Sequence, residues 1–188
     1  VSVHFAKATG CKVKGVDIFS DFIEFADKKA REYGVENLCE FRVGDINEAV
    51  KIEKGYDIVI LGAVGDVLGN PEETIQKLKS TVKNGGYIFI DDAYGKDESD
   101  ERYPTREKWR VIFKNVGVKL IDEKIIGNDE LSSTNDEQQL FIVRRADELK
   151  EKHPEKAHLF ESYIRSQQAE CDELENDVSG VTLLLRVI

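Results

Sequence analysis

The chain has no methionine, three prolines, three histidines, three cysteines and one tryptophan in 188 residues. Each scarcity excludes something. A natural chain starts with Met, and this one starts with Val1 and contains none, so the expectation is a sequence whose true start lies upstream. His4, His153 and His158 stand at no metal-ligand spacing, and Cys11, Cys39 and Cys171 are odd in number with no paired motif. That excludes a zinc module and points to reduced thiols in a cytoplasmic setting. No apolar run approaches the ~20 residues that span a bilayer, so a membrane protein is not expected. Positive charge is also short: 27 Lys+Arg face 37 Asp+Glu, a formal charge of −10. Such a field repels phosphate backbones and makes nucleic acid a poor partner. G-x-x-x-x-G-K-[ST] and G-x-S-x-G are both missing, which removes a P-loop and an esterase elbow.

What is present is an alternation of helical and extended patterns. Val1 to Ala8 reads as the tail of a helix closed by Gly10. Lys12–Phe19 reads as a strand, and Ser20 as the cap of a helix carrying Phe22, Ala26, Ala30 and Tyr33 inward. Leu38–Val43 is a second strand, followed by a short polar stretch. Tyr56–Leu61 is an almost continuous apolar run, expected to be covered on both faces. Gly62–Gly69 is a glycine-rich loop, too irregular for G-x-G-x-x-G. Asn70-Pro71-Glu72-Glu73 is a strong helix start. Gly85-Gly86 is expected to end that helix, and Tyr87–Ile90 to form a strand with Asp91-Asp92 just beyond it. Thr105 caps a helix with Trp109, Ile112, Phe113 and Val116 inward, ended by Gly117. Val118–Ile126 is a further strand. Past polar residues 127–133, a capping box at Thr134 and Glu137 opens a helical pair broken at His153-Pro154. Gly180 is expected to end it before a last strand, Val181–Ile188. This implies an α/β fold with a mostly parallel sheet and helices on both faces, in one domain.

Ligands of open α/β sheets bind beyond the C-terminal ends of strands. There the sequence places Asp17-Ile18, Gly44-Asp45-Ile46, Leu61-Gly62-Ala63 and Asp91-Asp92-Ala93-Tyr94. One carboxylate can accept from both ribose hydroxyls and another from an exocyclic amine, so Asp17 and Asp45 suit a nucleoside. Asp91 or Asp92 is the candidate general base. Tyr94 and Tyr103 flank a charged segment and either line a substrate pocket or pack the segment down.

In this order the residues resemble the class I S-adenosylmethionine-dependent methyltransferases, in particular the small-molecule type. Gly15-Val16-Asp17 resembles the family's strand with an acidic end, Gly44-Asp45-Ile46 the adenine segment, and Tyr56–Ala63 the strand under the cofactor's methionine part. Lys83-Asn84-Gly85-Gly86 is similar to the family's K-P-G-G turn, with Asn84 where proline is usual. The resemblance implies a Rossmann-like three-layer sandwich with an antiparallel last strand beside the fifth. It implies S-adenosyl-L-methionine as cofactor, held by Asp17, Ile18, Gly44, Asp45, Ile46, Leu61, Gly62 and Ala63. The methyl would pass to a small-molecule acceptor by in-line displacement. The family's first strand and glycine-rich loop have no counterpart in the sequence, so residues 1–188 are expected to form an N-terminally incomplete methyltransferase-like domain. A helical insertion at about 134–179 precedes the last strand.

Two other readings use the same residues. A nicotinamide-dependent oxidoreductase, NAD(P) replacing the methyl donor, would also place Asp17 on a ribose. A non-catalytic methyltransferase-like domain would bind a partner through the helical pair. That pair otherwise serves as a lid, as cover for the sheet edge, or as the contact for a second copy of the chain through its heptad-like face.

Overall fold

The computed structural model describes residues 1–62, 64–98 and 102–188. Its elements run α1 (Ser2–Thr9), β1 (Val13–Asp17), α2 (Ser20–Glu32), β2 (Cys39–Val43), α3 (Ile46–Ile52) and β3 (Tyr56–Leu61). A short 3-10 turn, Gly65–Leu68, leads to α4 (Pro71–Lys79), β4 (Val82–Gly95), α5 (Arg106–Val116) and β5 (Val118–Ile125). Then come α6 (Asn128–Lys152), a turn at Pro154–Lys156, α7 (Ala157–Asn176) and β6 (Val178–Val187). Contacts divide the chain into two compact units. One comprises Val1–Asp57 with Asp66–Lys83, the other Ile58–Gly65 with Asn84–Ile188.

In the first unit, β1 and β2 pair in parallel, from Val13 opposite Cys39 to Asp17 opposite Val43. Val3, Ala6, Ala30 and Val35 form its core, with Val13, Tyr33, Leu38, Cys39 and Phe41 packed against them. Gly15 is fixed by crowding, since a Cβ there would stand 2.7 Å from Cδ1 of Phe41. Gly10 ends α1 in the left-handed region at φ 71°, as its sequence position predicts. Asn70 and Glu73 make a complete capping box at the start of α4, each side chain accepting the other residue's N–H.

The second sheet has the spatial order β3-β4-β6-β5. β6 runs antiparallel to both neighbours, Ile88 facing Leu185 on one side and Leu120 facing Leu185 on the other. The expected antiparallel last strand beside Tyr87–Ile90 is therefore found, wedged between β4 and β5. Alternate residues Val181, Leu183, Leu185 and Val187 are buried, together with Ile88 and Ile90 of β4 and Trp109, Phe113 and Val116 of α5. Among the described residues no helix is long and apolar enough to cross a membrane.

Several local expectations change. The polar stretch after β2 is helix α3, because Asp45 caps it by accepting the N–H of Asn47 at 2.7 Å. Phe19, not Ser20, occupies the cap position of α2; its N–H is held by the Asp17 carboxylate at 2.9 Å. Phe22 points outward, 61% exposed, while Ile23 is buried. On β3, Ile58 and Ile60 are exposed, so the strand is not covered on both faces. Helix α4 stops at Lys79, and Gly85-Gly86 lie within β4. That strand continues through Asp91 and Asp92 to Gly95, because β6 supplies partners that far: Thr182, Val181 and finally Val178. Residues 128–133 are already helical, so α6 starts before Thr134. Helix α7 ends at Asn176, and Gly180 sits inside β6.

Candidate functional site

Each unit carries its own group of candidate residues. In the first, the parallel pair β1–β2 brings two strand ends side by side, with the Gly44 N–H bonded to the Asp17 carbonyl at 2.9 Å. The Asp17 carboxylate is half-buried, and its Oδ1 accepts the N–H of Phe19. Its Oδ2 has no hydrogen bond from the described residues. Beside it, Ile18 and Phe19 are 64% and 62% exposed, an unusual surface for large apolar side chains. Phe19 meets Phe22 edge to face, centroids 5.6 Å apart. Asp45 is exposed; its Oδ1 takes the backbone N–H and, at 3.3 Å, the side-chain amide of Asn47, leaving Oδ2 outward. Asn47 also donates to the Val67 carbonyl at 3.1 Å, tying α3 to the turn before α4. A Cβ on Gly44 would meet Val16 at 3.4 Å, so the backbone between the two acids is tightly seated. Ile46 opens α3 and is half-buried.

In the second unit, Leu61 ends β3 and Gly62 follows it; Ala63 lies outside the described residues. Asp91 is exposed in mid-β4 and accepts the hydroxyl of Thr182 on β6 at 2.7 Å. Its second oxygen lies 3.5 Å from where a Gly62 Cβ would be, so glycine keeps that approach open. Sequence reasoning missed Thr182. The available signal was a lone hydroxyl in the apolar run Val181–Leu185. Asp92 accepts the N–H of Ala93 at 2.7 Å.

Tyr94 is 5% exposed and donates its hydroxyl to Oε2 of Glu123 at 2.6 Å, and Glu123 also pairs with Arg106. Burial raises the Tyr94 phenol above its ordinary value, outweighing the opposite pull of Arg106 and Arg110. Its folded pKa is thus above the unfolded one. The stability linked to it is complete below pH ~10, where the unfolded phenol begins to ionise, and is lost as pH rises toward the folded value. Tyr94→Phe should therefore flatten the alkaline decline seen by urea unfolding; an unchanged decline would contradict it. Tyr103 is half-buried under the Arg102 guanidinium, 5.5 Å from its ring centre.

An α/β fold with two acids at adjacent strand ends and an antiparallel last strand between its neighbours is the architecture of the class I methyltransferases. The chain matches the methyltransferase domain family over residues 2–139 and belongs to it. It is 30% identical over 133 residues to a malonyl-[acyl-carrier protein] O-methyltransferase of Halalkalibacterium halodurans, an alignment covering 69% of this chain and 44% of that protein. The chain thus spans less than half the length of that curated relative. Among solved structures, a methyltransferase of Geobacter sulfurreducens in complex with S-adenosyl-L-homocysteine superposes with a TM-score of 0.80 at 18% identity, covering 97% of this chain and 78% of that one. One from Thiobacillus denitrificans, with the same ligand, gives 0.79 at 18% identity over 99% of this chain and 79% of that one.

Proposed function

We propose that this chain carries the cofactor-binding residues of an S-adenosyl-L-methionine-dependent methyltransferase whose acceptor is a small molecule. The observation that carries this reading is the Asp17 strand end. One carboxylate oxygen is spent on holding Phe19, the other is open, and exposed apolar side chains adjoin it. That suits a ribose diol with an adenine ring lying on Ile18. The fit extends to Asp45, whose open oxygen can accept from an exocyclic amine while Gly44 and Ile46 shape the backbone around it. Leu61, Gly62 and Ala63 are assigned to the cofactor's amino-acid part.

The cofactor when bound supplies a methyl group on a sulfonium, a reaction that needs alignment more than covalent help. The protein's task is then to orient and to handle a proton. Thr182 holds one oxygen of Asp91 and the Ala93 N–H one oxygen of Asp92, and one of these two carboxylates is assigned to take the acceptor's proton. The charge of −10 and these exposed acids support a neutral or cationic acceptor. Tyr94, held by Glu123, and Tyr103, under Arg102, are assigned to the acceptor side of the site. Both units are assigned to one methyltransferase domain, with α6 and α7 as its helical insertion. The free thiols of Cys11, Cys39 and Cys171 support a cytoplasmic location.

The test is calorimetric titration of S-adenosylhomocysteine, with NADH as comparison. The former alone should bind. Asp17→Ala should weaken it by about 1.5–3 kcal/mol, the scale of a hydrogen bond to a charged group. Asp17→Asn, which can still hold the Phe19 N–H, should also weaken it. Equal affinity in both variants would remove Asp17 from the cofactor, and binding of NADH would revive the oxidoreductase reading.

A further inference from the structure

Helix α3 lies wholly in the first unit and is held there by polar contacts more than by burial. It has seven residues, about 10 Å of rise, well short of the length at which a helix is stable alone. Ala49 is buried, but Ile52 is 65% exposed. One face of the β1–β2 pair is charged: Lys14 stands opposite Glu40, Val16 opposite Arg42, and residues two apart point the same way. The other face, with Val13, Cys39 and Phe41, packs on the core. Glu53 sits at the C-cap of α3, its N–H bonded to the Ala49 carbonyl at 2.8 Å. Its Oε1 takes the Lys14 ammonium at 2.8 Å and lies 3.6 Å from the Arg42 guanidinium, and its Oε2 accepts the Tyr56 hydroxyl at 2.5 Å. Both oxygens are spent inside the protein, at 19% side-chain exposure. Lys14 and then Tyr56 hold this carboxyl below the ordinary range, so it is charged at neutral pH.

We propose that Glu53 is a positioning residue, fixing the angle of α3 and through it the direction of the Asp45 carboxylate at the helix's other end, a role that rests on Asp45 receiving the cofactor's exocyclic amine. Gly44 cannot follow the helix, because its N–H is bonded to the Asp17 carbonyl at 2.9 Å. A tilt of α3 would therefore pivot at Gly44-Asp45. At that end Asn47 ties the helix to the Val67 carbonyl at 3.1 Å. A tie at one end of a short rod leaves its angle free, and a second about 10 Å away sets it. Glu53 supplies the second, against both strands of the pair. Lys54 also ties this end, to the Val50 carbonyl and the Ser80 hydroxyl at 3.0 Å each, but it is exposed and does not reach β1 or β2. Such a contact holds less than a carboxylate shared by two cations and a phenol. Asp45 Oδ1 is already committed to Asn47, so what the tilt decides is where Oδ2 points.

Calorimetric titration of the full chain with S-adenosylhomocysteine and with S-inosylhomocysteine tests this, the second ligand carrying a carbonyl oxygen where the amine stands. The unmodified chain should prefer the first by about tenfold or more, the scale of a hydrogen bond to a charged group. Glu53→Ala should cut that preference several-fold. Glu53→Gln, which can still accept the Tyr56 hydroxyl, should keep part of it. Hydrogen exchange across residues 46–53 should quicken in Glu53→Ala while α2 stays protected, which separates a loosened α3 from an unfolded unit. If protection is lost in α2 as well, Glu53→Gln decides by the same ratio. A variant that weakens both ligands alike and keeps the ratio would overturn the positioning role and leave the cofactor reading intact. Unchanged exchange in α3 would overturn it too. An unmodified chain that binds both ligands equally, or neither, would instead remove Asp45 from the amine, and the role of Glu53 with it.

Discussion

Trp109→Ala should cost about 3–5 kcal/mol, the largest loss expected from any single truncation in the chain. Trp109 is 1% exposed on α5, lies 5.6 Å from Phe113 ring to ring, and donates its indole N–H to the Ala93 carbonyl at 3.2 Å. Its removal leaves both a cavity and an orphaned carbonyl, one residue past Asp92 on β4. At roughly 2–4 °C per kcal/mol for a chain of this size, the transition containing β4 and α5 should fall by about 10 °C. Trp109 is the sole tryptophan, so far-UV circular dichroism must follow the transition. Trp109→Phe should recover part of the loss, since it restores volume but not the donor. A shift under 3 °C for the alanine variant would mean that the site collapses to fill the space.

Gly95→Ala should be nearly as damaging, about 3 kcal/mol, for the opposite reason. A Cβ there would stand 2.1 Å from the Tyr103 carbonyl oxygen, an impossible approach to a backbone atom that cannot rotate aside. The segment before α5 would have to lift from β4, breaking the bond from the Gly95 N–H to the Pro104 carbonyl at 3.1 Å. Gly15→Ala is a useful contrast. Its clash, at 2.7 Å, is with the ring of Phe41, which can tilt. Thermal melts of the two variants should rank Gly95→Ala as clearly worse. Equal shifts would show that the 102–104 segment yields as easily as a side chain.

Much of this architecture was legible in the residues, where local chemistry decides. The helix start at Asn70, the helix-ending Gly10 and Gly117, and the inward set on α5 depend on neighbours a few positions away, whereas the capping box expected at Thr134 falls inside α6. Reading failed where a distant partner decides. β4 runs past Asp91 and Asp92 only because β6, some ninety residues later, supplies partners to Gly95. The Asp17 side chain decides the start of α2, which a search for Ser, Thr or Asn at the cap position does not find. The exposure of Ile58 and Ile60 is likewise set by packing around β3, which periodicity in a short apolar run does not reveal. For the site, the acids were found because strand ends are recognisable. Thr182 was not, because only strand register places it opposite Asp91.

The strand order also has a kinetic meaning. β6 lies between β4 and β5 yet is synthesised after both, separated from β5 by the whole α6–α7 hairpin. Until it inserts, β4 and β5 lack the partner that joins them, and Ile88, Ile90 and Val118 have lost much of their cover. Contacts of such long sequence separation make this sheet slow to close. The hairpin works the other way. Its helices form locally and early, and by folding back on itself it brings the end of α7 near the end of β5, shortening the loop that entropy must close. Mutations that loosen the α6–α7 seam should therefore slow refolding of the sheet, even where they touch none of its strands.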